Sequence, residues 1–202
     1  MPTVTSVKKN LPVSPLLVVA VLVLVSVAGA SWVFEQLAED AYAARKHTTT
    51  VRVETISLKT DVMELSRGLR GYVISGKDEW LEPYREARRE ARERVRKLKT
   101  LVADNPAQQR KLDAFDDHLE ANLAFSAKAL QVATDQGLEA ARTLVAGGAG
   151  RAELVKMEAL LDEMDAEETR LYKLRDDTAA RNSTIATAIT LLGSLFALTL
   201  VI

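Results

Sequence analysis

Two arginines in the middle of the sequence have a spacing that suits the binding of an anion. Arg67 and Arg70 are three residues apart, so on a helix they lie on one face. Their guanidinium groups could bind an anionic ligand or pair with carboxylates. The alternative is structural, since Asp78, Glu79 and Glu82 follow closely and could pair with them across a turn. In that case the arginines would make this end of the fold rigid without any ligand.

A second group of polar residues lies where a helical seam should be apolar. The seam of the last charged segment has spacings of three and four residues, and Glu168 and Arg175 occupy inward positions in it. A charge inside a helix bundle is costly unless it is paired. In an antiparallel arrangement both lie level with Arg45, Thr48 and Glu54 of the first helix, so we expect a polar layer there. This layer could act as a switch between two pairings, or it could simply fix the helix register.

The remaining residues favour neither catalysis nor metal binding. Cysteine is absent, and His47 and His118 lack a second ligand at helical spacing. No glycine-rich loop follows a strand, and no Ser/His/Asp grouping occurs. The middle of the chain carries a formal charge of about −3, and its arginines at 85–99 alternate with glutamates. We therefore expect no catalytic residue, cofactor or metal in this chain, and no nucleic-acid partner.

The elements that must position these residues begin and end with apolar segments. Only Lys8 and Lys9 are charged before Glu35, and no charge follows Arg181. About 20 apolar residues can cross a bilayer as a helix. We predict transmembrane helices at 15–34 and 182–202.

The two lysines set the expected orientation. The positive-inside bias places residues 1–14 in the cytoplasm and residues 35–181 outside it, in a multi-pass protein of the bacterial inner membrane. Because the chain ends at the second span, we expect a cytoplasmic output portion to be missing, either from a fragment or from a truncated product. The alternative is a signal peptide cleaved after Ala30, which would give a secreted helical binding protein.

Residues 35–181 have the periodicity of long helices. Turn signals at Ser75–Asp78, Asp104–Pro106 and Gly147–Gly150 divide the segment into four helices, the third of them running from about Ala107 to the glycines. The predicted fold is all-α, an antiparallel up-down-up-down four-helix bundle flanked by two transmembrane helices. Its first seam comprises Leu58, Val62, Leu65, Leu69 and Tyr72.

The run from Arg70 to Tyr84, RGYVISGKDEWLEPY, resembles the CHASE3 family of extracellular sensory domains in bacterial receptors. Residues 102–112 resemble the second connection of that family, and its last helix carries residues similar to Met157, Glu158, Glu168, Leu171 and Arg175. The candidate residues at the first turn are Arg67, Arg70, Gly71, Tyr72, Gly76, Glu82 and Tyr84.

The resemblance implies a sensory input module, most often of a two-component sensor histidine kinase. A chemotaxis transducer, a nucleotide cyclase or a cyclic-di-GMP enzyme is the less frequent output. The partners expected are the lipid bilayer, a second copy in a homodimer, and an unknown external ligand or protein. Small helix displacements would carry the stimulus inward. The competing hypothesis is a passive helical spacer or dimerisation module.

Overall fold

The computed structural model describes residues 15–201, which are almost entirely helical and contain no strand. A single 3₁₀ turn at Asp78–Trp80 precedes the second helix. The predicted all-α class is confirmed. The helices are α1 (Pro15–Ser75), α2 (Leu81–Leu101), α3 (Pro106–Gln136), α4 (Leu138–Ala146) and α5 (Ala149–Val201).

The chain forms two compact units. The bundle unit is Ala44–Leu174, and the apolar unit comprises residues 15–43 and 175–201 of the described chain. Helices α1 and α5 each contribute a segment to both units.

Four long helices of the bundle unit share one apolar core. Along each pair of neighbouring helices the residue numbers of successive polar contacts run in opposite directions, so neighbours are antiparallel. The contacts are Glu54–Lys97 and Asp61–Arg94 between α1 and α2, Arg92–Glu120 and Lys99–Asp116 between α2 and α3, and Lys111–Glu163 and His118–Glu153 between α3 and α5. The predicted four-helix bundle is confirmed. The largest fully buried side chains are Leu58, Val62, Leu65, Leu98, Leu112, Phe115, Leu119, Met157, Leu161 and Met164.

The third helix is shorter than the sequence predicts. It ends at Gln136 because Gly137 has φ +89° and ψ 166°, a conformation that L side chains rarely adopt and that no helix contains. The short helix α4 follows, and Gly148, with φ +81°, separates it from α5. The expected single helix to Gly147 is therefore wrong.

The other two connections have the predicted turn chemistry. Gly76, with φ +70°, terminates α1, and its N–H donates to the carbonyl of Tyr72 at 2.7 Å. The side-chain oxygen of Asn105 caps α3, accepting from the N–H groups of Ala107 and Gln108 at 3.2 Å each, and Pro106 occupies the first helical position.

In the apolar unit, small residues lie between the helices and large ones face outward. Ala20 and Ala197 are buried, and a side chain at Gly193 would contact Val27. Both segments are long and apolar enough to cross a membrane, and only 6% of the apolar stretch of each one is buried. The exposed large residues include Leu16, Val21, Leu22, Leu24, Val25, Leu191, Leu192, Leu195, Phe196 and Leu198.

We call the end of the bundle unit that carries the α1–α2 connection the distal end. There Gly68 and Gly71 of α1 let the chain approach very closely. A Cβ on Gly68 would lie 2.8 Å from the Cβ of Tyr84, and one on Gly71 would have three ring carbons of Trp80 within 2.7 Å. Trp80 therefore packs directly on the backbone of α1.

This contact gives the first prediction. Gly71→Ala should lower the free energy of unfolding by about 1–3 kcal/mol, because the three atoms nearest to the added methyl group all belong to the Trp80 ring and overlap it. In a Trp80→Ala background the same change should be neutral or stabilising, by up to about 1 kcal/mol, from helix propensity. Denaturation of the full chain in detergent, monitored by circular dichroism, measures the change in unfolding free energy in both backgrounds.

Gly29→Ala is the matched control on the same helix, since nothing lies within 4 Å of its Cβ. An equal loss from Gly71→Ala in both backgrounds would contradict the assignment of the clash to Trp80.

Candidate functional site

A cavity of about 510 Å³ opens at the distal end beside α1, Trp80 and α5. Arg67 and Arg70 supply its positive charge and Glu158 its negative charge. Arg67 pairs with Glu64 on its own helix, at 2.7 Å. The apolar part of the lining is Met63, Ile74, Trp80 and Leu154.

The structure brings Arg67, Arg70 and Gly71 of the predicted set to this cavity. Tyr72 instead packs half-buried against the core, and Tyr84 is a core residue with 3% exposure. Glu82 pairs with Arg85 at 3.3 Å on the surface.

The proposed ion pairs across the turn are not formed in the described part of the chain. Glu79 lies 3.7 Å from Lys77, and no carboxylate of the turn reaches Arg67 or Arg70. The rigidity of the distal end therefore depends on the packing of Trp80 and Tyr84, and not on those pairs.

Arg142 contacts the distal end of α1 and was not among the residues predicted from the sequence. From α4 it donates to the carbonyls of Val73 and Ile74, at 3.1 and 2.8 Å, in the last turn of α1. These carbonyls lack helical partners, and a cation there also complements the negative end of the helix dipole. No sequence signal identifies this contact, because it depends on how α4 docks.

The predicted polar layer is partly assembled in the bundle unit. Thr48 and Glu168 are buried, with 0% and 3% exposure, and Arg45 is half-buried. Each of these side chains has an interaction partner. Arg175 belongs to the apolar unit, where it is half-buried and also has a partner.

Gln108 joins this layer and was not predicted. Its Nε2 donates to Glu168 Oε1 at 3.3 Å, while its own Oε1 is buried without a hydrogen-bond donor. The spacing from Gln108 to Leu112, Phe115 and Leu119 alternates between four and three residues, so the apolar seam could have been extended backward to find it.

Two ion pairs join α1 directly to α5. Arg52 Nε lies 2.8 Å from Asp165 Oδ1, and Lys59 Nζ lies 2.6 Å from Asp162 Oδ1. The hydrogen bond that Arg52 donates to the Asp165 carboxylate raises the pKa of Arg52 above its ordinary value. These contacts connect the two helices that continue into the apolar unit.

The CHASE3 domain family model matches residues 41–178, about two thirds of the chain. The chain belongs to the CHASE3 domain family. CHASE3 domains are extracellular sensory domains, so the chain carries a sensory input module of a receptor. No curated protein matches the chain.

The CHASE3 domain is also similar to a solved structure, the sensor domain of the Rhodopseudomonas palustris histidine kinase HK9. The TM-score is 0.56 at 18% identity, and the match covers 61% of this chain and 96% of that one. This likeness supports the helical fold.

Within the CHASE3 domain, α1 and α2 are joined by a charge network. Arg94 contacts Asp61 at 2.7 Å and Glu54 at 3.1 Å, and Lys97 contacts Glu54 at 2.7 Å. The hydrogen bond from Lys97 lowers the pKa of Glu54. At Asp61 burial outweighs the attraction of Arg94 and raises the pKa.

Among residues 15–201, no three His, Cys, Asp or Glu side chains are grouped as a metal site requires. The candidate signalling features are the distal cavity, the polar layer and the α1–α5 ion pairs.

The α1–α2 network gives the second prediction. Arg94→Gln should lower the free energy of unfolding by about 2 kcal/mol, because it leaves the largely covered carboxylates of Glu54 and Asp61 without their shared partner. Arg92→Gln is the matched control, since the Arg92–Glu120 pair is about half exposed and should contribute less than about 1 kcal/mol. Urea denaturation at pH 7 compares them, and equal losses would contradict this ranking.

Proposed function

We propose that the chain is the input module of a transmembrane sensor histidine kinase. The observation that carries the proposal is the continuity of α1 and α5, which are tied together by Arg52–Asp165 and Lys59–Asp162 and then continue into apolar segments. A stimulus that shifts one helix against the other would move its apolar segment as well. Displacements of about 1–2 Å at helix interfaces suffice in other switches.

The surface of the apolar unit supports a location in the membrane. Exposing its outward-facing leucines and valines to water would be energetically unfavourable, whereas lipid would solvate them. Ser31 and Thr190, whose hydroxyls are 3.4 Å apart, give each other a polar partner. We place residues 15–34 and 182–202 in the bacterial inner membrane, residues 1–14 in the cytoplasm and residues 35–181 outside it.

A homodimer is part of the proposal. Val53, Ile56 and Met63 on α1 are each about half exposed and recur at helical spacings of three and seven residues. An apolar stripe on a long helix is the kind of surface that packs against its own copy. An external ligand or partner protein would supply the stimulus.

The competing function is a passive spacer that sets distance and pairing for the cytoplasmic part. The close packing of Trp80 on Gly71 and the α1–α2 charge network favour such a rigid unit. The alternative outputs are a chemotaxis transducer, a nucleotide cyclase and a cyclic-di-GMP enzyme.

The proposed orientation predicts the access of introduced cysteines. The chain has no cysteine of its own, so any labelling of a Thr3→Cys or Lys77→Cys variant comes from the introduced thiol. A membrane-impermeant maleimide added to spheroplasts should label Lys77→Cys, because that side chain is 68% exposed in the CHASE3 domain. Thr3→Cys should react only after the membrane is permeabilised. The reverse pattern would contradict the orientation.

Signal transmission predicts a charge-swap effect. In residues 1–202 fused to the cytoplasmic part of a sensor histidine kinase, Arg52→Glu should change autophosphorylation in vesicles at least about threefold, because it places a carboxylate against Asp165. Adding Asp165→Arg should restore the original level by re-forming the pair.

Arg92→Glu, which alters an α2–α3 contact, is the control and should leave the output unchanged. If the α1–α5 variants also leave the output unchanged, the bundle behaves as a passive spacer and the receptor mechanism is contradicted.

A further inference from the structure

A second cavity at the distal end has an unusual charge. Its volume is about 350 Å³, within the lower range of small-molecule sites. Three arginines line it, Arg70 from α1, Arg142 from α4 and Arg151 from α5, and no acidic residue does. The cavity is therefore a convergence of three positive charges from three helices.

Arg142 is held in place and still has donors to offer. Its Nε and Nη2 each donate to a carbonyl of α1, and Nη1 donates to Glu139 at 3.0 Å. A guanidinium has five N–H donors, so one on each terminal nitrogen remains. Since the side chain is fixed by contacts on two helices, little conformational entropy is lost when a ligand binds.

Arg70 and Arg151 have no ion-pair or hydrogen-bond partner in the described part of the chain. Other arginines without partners, such as Arg96, lie singly on the exposed face of α2. Two such arginines beside Arg142 repel one another, and an anion between them would turn that repulsion into attraction. Glu139 does not take the place of such an anion, because its side chain is 85% exposed and pairs only with Arg142 in the described part of the chain.

The rest of the lining indicates which kind of ligand the cavity would accept. Gly148 lies at the edge of the cavity, immediately before α5, whose first turn contains no acidic residue, so the positive end of that helix adds to the field. The remaining wall is apolar, formed by Val73, Ile74, Val145 and Ala146.

We propose that this cavity binds a small organic carboxylate, with the carboxylate between the three arginines and an apolar body against the valines and Ile74. Such a ligand would bridge α1, α4 and α5. Its effect on receptor output rests on the proposed function, but its binding does not.

Calorimetric titration of the full 202-residue chain, in nanodiscs of uncharged phosphatidylcholine at low salt, tests the proposal. The probes are sodium benzoate, inorganic phosphate and the neutral analogue benzamide. We expect benzoate to bind with a Kd below about 1 mM and benzamide not to bind. Arg70→Gln and Arg151→Gln should each weaken benzoate about tenfold, the effect of losing one charge-assisted hydrogen bond.

Arg96→Gln is the matched control and should leave the Kd unchanged. Among residues 15–201 neither Arg70 nor Arg151 has an ion-pair or hydrogen-bond partner, so both variants should fold, which circular dichroism checks. The proposal is overturned if benzoate does not bind at 20 mM (about 20-fold above the expected limit), if only phosphate binds, or if Arg96→Gln weakens binding as much as the cavity variants do. A negative result leaves the receptor proposal standing, because the labelling and charge-swap experiments involve no ligand.

Discussion

Helices α1 and α5 each bury large apolar side chains in one segment and expose them in the other, and the rest of the structure depends on this reversal. In the CHASE3 domain they bury large apolar residues such as Leu58 and Leu161 and expose charges. In the apolar unit they bury alanine and expose leucine, valine and phenylalanine. Burial of apolar surface from water stabilises the first arrangement. In the proposed membrane location close helix packing would stabilise the second, since lipid offers no hydrophobic drive between helices. Each helix therefore continues from one environment to another without a break in its backbone.

A different constraint applies at the distal end, where long helices must end without leaving backbone polar groups unsatisfied. Gly76 closes α1 with its own N–H, and Arg142 satisfies the two carbonyls that remain nearby. Because α4 supplies Arg142, the break at Gly137 has a structural use: it frees a short helix to turn over the end of α1. The same docking brings Arg142 close to Arg70 and Arg151 and so creates the cationic cavity.

Much of the fold follows from the sequence because heptad spacing and turn residues report local structure directly. The seam from Leu58 to Tyr72 and the stops at Gly76 and Pro106 were predicted from such signals. The break at Gly137 was missed, since a single glycine inside a helical pattern is usually tolerated. For the distal site, the pair Arg67 and Arg70 could be found from spacing on one helix. Arg142 and Arg151 could not, because only tertiary packing brings them near Arg70.

The polar layer near Glu168 is a costly arrangement for a helix bundle. Well-packed apolar residues at Glu168 and Gln108 would remove the cost of a buried carboxylate and of an amide oxygen without a donor. A passive spacer gains nothing from that cost except a fixed register, which the ion pairs Arg52–Asp165 and Lys59–Asp162 on the same helices already help to specify. A transmitting bundle does gain, because a polar layer can form more than one set of hydrogen bonds, whereas interlocked apolar side chains have one arrangement. The unsatisfied Oε1 of Gln108 is therefore consistent with the proposal that the partners in this layer exchange as α5 moves.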